Sequence, residues 1–70
     1  MENIVRAVIV KKDNKYVYVN YFQRVKDSYD LKVADRKYTS REIKNLISND
    51  KTKEIGEFFK NKNVGDVFNF

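Results

Sequence analysis

The run Ile4–Val10, read as Ile-Val-Arg-Ala-Val-Ile-Val, is apolar at both alternations. Successive strand residues point to opposite faces, so a run like this has no face to give to water. It predicts a strand in the middle of a sheet. Ile4, Val8 and Val10 share one face with Arg6, and Val5, Ala7 and Ile9 share the other. Only 70 residues are available to cover those faces. A chain of that length is a single small domain, residues 1–70, near the lower limit for a self-supporting core.

The chain has neither cysteine nor histidine. That excludes a disulfide framework and a thiolate metal site, and it removes the commonest metal ligand and general acid–base. Hydroxyls have no histidine to activate them. The glycines, Gly56 and Gly65, stand too far apart to form a phosphate loop. The pair Ser40 and Lys44 sits one helical turn apart, an ordinary surface spacing. Glu42, Glu54 and Glu57 lie among bases at salt-bridge spacing. The expectation is a protein that is not an enzyme and needs no cofactor or metal. Ala7–Val10 is too short to span a bilayer, and the N-terminus does not read as a secretory leader. The expected location is the cytoplasm, with no membrane partner.

"KDNK" (12–15) reads as a tight hairpin turn, since Asp and Asn tolerate left-handed backbone. The second strand, Lys15–Gln23, alternates cleanly: Val17, Val19 and Tyr21 against Tyr16, Tyr18, Asn20 and Phe22. A two-residue loop at Asp13 and Asn14 would pair Val10 with Val17 and Val8 with Val19. Lys11 would then face Tyr16, and Ile9 would face Tyr18. After a polar break at "RVKDS" (24–28), Tyr29, Leu31 and Val33 alternate with Asp30, Lys32 and Ala34 as an edge strand. "TSRE" (39–42) matches a capping box, predicting a helix to about Asn49 with Ile43, Leu46 and Ile47 as its stripe. A second helix to about Asn61 carries Ile55, Phe58 and Phe59. The tail turns at Gly65–Asp66 and either adds a short strand or lays Phe68 and Phe70 on the core.

The fold class is therefore α+β: a three-stranded antiparallel meander followed by two short amphipathic helices, with a short C-terminal strand as one of the two courses for the tail. Val8, Val10, Val17, Val19, Leu31, Val33, Ile43, Leu46, Ile47, Ile55, Phe58 and Phe59 are the expected core. Two short helices can cover only one sheet face. Which face they cover is left open, that of Val17, Val19 and Tyr21 or that of Tyr16, Tyr18 and Phe22, and the uncovered one is then open for contact.

Fifteen basic against ten acidic residues give a net charge of +5. The N-terminal 24 residues are the most basic part, with Arg6, Lys11, Lys12, Lys15 and Arg24 against Glu2 and Asp13. On the hairpin, Lys11, Lys12, Lys15 and Arg24 are candidates for neutralising phosphates. Tyr16, Tyr18 and Phe22 are candidates for stacking on bases or entering a groove. Arg36, Lys37, Arg41 and Lys44 are candidates for a neighbouring basic edge. The leading expectation is a small basic module that binds nucleic acid or a nucleoprotein complex through this Lys/Tyr-rich hairpin. The two helices resemble helix-turn-helix only in outline, because acidic Glu54 and Glu57 would sit on the reading helix.

The other expectation comes from a different class. Lysine, asparagine and isoleucine are frequent and proline is absent, as AT-rich codons produce, which points to a low-GC bacterium or its phage. A phage or mobile-element protein that binds and inhibits a host protein, such as a defence nuclease (anti-CRISPR or anti-restriction type), fits the small size and the apolar surplus on the sheet. A homodimer joined through the open face or the edge strand is compatible with both.

Overall fold

The computed structural model describes residues 4–25 and 29–70. Strand β1 (Ile4–Lys12) is followed by β2 (Tyr16–Val25) and β3 (Tyr29–Thr39). Helices α1 (Ser40–Ile47) and α2 (Lys53–Asn61) come next, and strand β4 (Val67–Asn69) closes the chain. The four strands form one antiparallel sheet in the order β3-β2-β1-β4. The meander, the two helices and the C-terminal strand are those read from the sequence, and β1 lies inside the sheet as its doubly apolar pattern requires. The last three residues of the polar break, 26–28, lie outside the described residues.

The first hairpin closes on Asp13. Its carboxylate accepts the Tyr16 N–H at 2.7 Å and the Lys15 N–H at 2.9 Å, while its own N–H donates to the Tyr16 carbonyl. Those two backbone bonds, Tyr16 first, hold the exposed carboxyl below its ordinary pKa. The capping box forms as expected. Thr39 Oγ1 accepts the Glu42 N–H at 3.1 Å, and Glu42 Oε1 accepts the Thr39 N–H at 2.8 Å. Helix α1 ends at Ile47, two residues earlier than the stripe predicts. Thr52 Oγ1 donates to the Leu46 carbonyl at 2.7 Å, and the Asn49 N–H donates to the same oxygen at 3.3 Å.

Both helices lie on the sheet face that carries Ala7, Ile9, Val17 and Val19. Together with Ile43, Phe58 and Phe59 these residues form the buried core. Tyr21, Tyr38, Leu46, Ile47, Ile55 and Phe68 pack around it. Phe59 stacks on Tyr38 at 5.1 Å between ring centroids, and Phe68 brings β4 edge-on to Phe58 at 5.4 Å.

The register corrects part of the expected core. β2 is regular, but its partners each carry extra residues: pairing steps from Ile4 to Arg6 and from Ile9 to Lys11 on β1, and from Ala34 to Lys32 on β3. Val5, Val10 and Val33 are the residues skipped. A bulge of this kind places two residues opposite one and shifts the alternation beyond it. Ile9 therefore pairs with Val19, Lys11 with Tyr18 and Lys12 with Val17, in place of the Val8–Val19, Val10–Val17, Lys11–Tyr16 and Ile9–Tyr18 pairs. Val8 pairs with Asn20 on the face away from the helices, and Val10 is 43 % exposed. Leu31, half exposed, also stays out of the core. Ala7 and Ile9, with no exposed surface, take the central places.

Gly56 marks a close approach of the two helices. A Cβ there would come within 2.9 Å of the Ile47 backbone nitrogen, Ile47 Cγ1 and Leu46 Cβ. An alanine would gain up to ~1 kcal/mol of helix propensity. It would also force the helices apart, and such overpacking costs about 1–3 kcal/mol. Gly56→Ala is expected to lower the urea midpoint, and a raised midpoint would place the helices farther apart than described.

Candidate functional site

The helices take one side of the sheet, so the other side is the candidate surface. β2 is its axis, because β3 lies along one flank and β1 along the other. Tyr16, Tyr18, Asn20, Phe22 and Arg24 stand on the open face, since Val17, Val19 and Tyr21 of the intervening alternation turn to the helices. The cross-strand pairs set two cations beside the tyrosines. Lys11 of β1 and Lys37 of β3 both pair with Tyr18. The Lys11 ammonium lies 5.2 Å from the Tyr18 ring centroid, and the Lys37 ammonium lies 4.6 Å from that of Tyr16. Both distances are within cation–π range. The two tyrosine rings are 6.0 Å apart, edge to face. An open depression of about 440 Å³ borders Tyr18, between Val10, Asn20, Asp35 and Lys37.

Farther along β2 the charges answer one another. Asp30 takes both Arg6 and Arg24, the latter at 3.5 Å, and Lys32 reaches Asp35 at 3.4 Å. Cations in excess of their carboxylates therefore concentrate at the hairpin end, around Tyr16 and Tyr18.

The residues singled out in the sequence divide between two layers. Lys11, Tyr16, Tyr18, Phe22, Arg24 and Lys37 share the open face, while Lys15 sits in the turn. Lys12 shares its side of the sheet with Val17, and its ammonium caps the C-terminal end of α2. It donates to the Lys62 carbonyl at 2.6 Å and to the Lys60 carbonyl at 3.4 Å. Arg36 pairs with buried Val19 and so points to the helix side, where Tyr21 and Tyr38 share a hydroxyl contact of 2.6 Å. Burial, followed by that hydroxyl partner, pushes the Tyr21 pKa up. Arg41 and Lys44 belong to α1. Lys12, Lys44 and Lys60 border a separate cleft of about 400 Å³ floored by Val17, Ile43 and Phe59. The basic edge expected next to the ribbon is thus in two parts, and only Lys37 joins the tyrosines.

Val8, Val10, Lys32 and Val67 also stand on the open face, beside Arg6, Asp30 and Asp35. Their places follow from the bulges and from β4, for which the sequence has no local signal beyond Gly65. Its φ of 96° suits the turn into that strand. Among the described residues no helix is long and apolar enough to cross a membrane, and no three carboxylates cluster to hold a metal ion.

What the arrangement can do follows from its parts. Exposed ammonium groups over aromatic rings attract anions and offer π-faces, and the flanking valines supply apolar contact. No protein family, curated protein or solved structure matches the chain.

Proposed function

We propose that the protein is a non-enzymatic module that binds nucleic acid, or a nucleoprotein through its nucleic-acid part, on the open face of its sheet. The supporting observation is the row Lys11–Tyr18–Lys37 with Tyr16 beside it, standing on the face that the helices leave uncovered. Phosphate neutralisation supplies most of the affinity, and the rings supplement it. The layer on which a cation stands matters here: those of the helix side add to the overall field but do not touch the same strand.

The test is a salt series with charge reversal. The double variant Lys11→Glu/Lys37→Glu is expected to weaken binding to labelled DNA or RNA at least tenfold, about 1.4 kcal/mol. It should also flatten the dependence of log affinity on log salt by roughly one unit for each phosphate no longer neutralised. The double variant Arg41→Glu/Lys44→Glu makes the same charge change on helix α1, on the helix side, and should cost much less. Equal effects from both variants would assign the binding to net charge instead of this face. If no nucleic acid binds at low salt, the partner of the face is a protein. The inhibitor reading then takes precedence, with Val10 and Val67, each over two-fifths exposed, as its apolar contacts.

A further inference from the structure

Resting on the nucleic-acid reading, we infer that the ligand of the open face is an unpaired strand, DNA or RNA, and not a duplex. Three observations lead there. The first is spacing. The Tyr16 and Tyr18 rings are 6.0 Å apart, whereas bases within a duplex strand follow one another at about 3.4 Å. Bases seated on these rings must therefore leave their own stack, which a single strand does readily and a duplex resists.

The second is the position of the rings within the sheet. β2 has neighbours on both sides in the order β3-β2-β1-β4. At the level of the rings three strands, β3, β2 and β1, lie side by side at about 4.8 Å intervals, one strand more than a ribbon and some 10 Å across before side chains are counted. The major groove is about 12 Å wide and admits a helix or a two-stranded ribbon, so rings in the middle of this face cannot reach base edges there. A flexible strand can drape over them.

The third is what already lies on the rings. In the free protein the Lys11 ammonium sits by Tyr18 and the Lys37 ammonium by Tyr16. A phosphate offers each ammonium a full negative charge in place of a ring quadrupole. The lysine swings to the phosphate, and the π-face it leaves is open to a base. The same two residue pairs thus supply both the electrostatic and the stacking contact, one nucleotide to each tyrosine.

The experiment is fluorescence anisotropy with three labelled probes of equal nucleotide number at low salt: oligothymidylate, oligouridylate and a self-complementary hairpin duplex. Either or both single strands are expected to bind at least tenfold more tightly than the duplex, and their ratio tells DNA from RNA. Tyr18→Ala should then weaken single-strand binding roughly 5- to 100-fold, while Tyr18→Phe keeps the ring and stays within about threefold. Tyrosine emission should also be quenched on binding. Salt-sensitive binding that is equal for all probes and indifferent to Tyr18→Ala would overturn the inference and leave the charge reading standing. Failure of every probe to bind would overturn both.

Discussion

Phe59→Ala is expected to remove about 3–5 kcal/mol of folding free energy, the range for truncating a buried phenylalanine. Phe59 has no exposed surface and is the largest of the fully buried side chains. Its ring stacks on Tyr38 from the third strand and meets Phe58 edge-on at 5.7 Å. Truncation would therefore open a cavity where helix, sheet and edge strand meet. A domain of this length has roughly 4–10 kcal/mol in total at 0.05–0.15 kcal/mol per residue. The variant should be largely unfolded at 37 °C or close to it. Urea unfolding followed by circular dichroism is the measurement. With a slope near ~1 kcal/mol/M, the midpoint should fall by several molar or vanish. A drop well under ~1 M would mean that the site collapses around the missing ring and that Phe59 is not the centre of the core.

The second large effect is a contrast between neighbours. Ile9→Ala should cost about 2–5 kcal/mol, whereas Val10→Ala should stay within roughly 0.5 kcal/mol. Ile9 is fully buried opposite Val19, and Val10 is the extra residue of the bulge, 43 % exposed on the open face. A regular hairpin with a two-residue loop would instead pair Val10 with Val17 and reverse the order. Parallel urea titrations of the two variants decide between the registers. Equal destabilisation would mean that the bulge is absent or that β1 exchanges between registers.

That contrast also shows where sequence reasoning stops. Patterns with a period of two or 3.6 residues and a hydroxyl three residues before a glutamate were each legible. The reason is that each arises from backbone geometry within one turn or one strand. The division of β2 into Val17, Val19 and Tyr21 against Tyr16, Tyr18 and Phe22 was legible for the same reason. Which set would be covered was not. Both are apolar enough for a core, and the choice is made by where the helices return, a matter of tertiary packing. Val5, Val10 and Val33 look like ordinary strand valines, and nothing local marks them as bulged. Every residue beyond such a position changes sides, so Arg36 went to the helix layer and Ile9 displaced Val10 from the core. In the candidate site, the tyrosines and Lys11 could be read from the hairpin itself. Lys37 comes beside them only through a cross-strand register that the bulge at Val33 sets.

The same bulge has a bearing on how copies of the chain behave toward each other. β3 is the longest strand, eleven residues, and it runs along the outer margin of the sheet. A flat margin of that length is a template on which further chains can add, strand upon strand, as fibrils grow. Val33 falls near its middle, and the local twist it introduces divides the margin into two short stretches at an angle. An incoming strand can follow one stretch but finds no partners along the other. Lys32, Asp35, Arg36 and Lys37 crowd the junction with charge of both signs. A valine out of step would then act as a guard against fibril growth while the aromatic face beside it stays open.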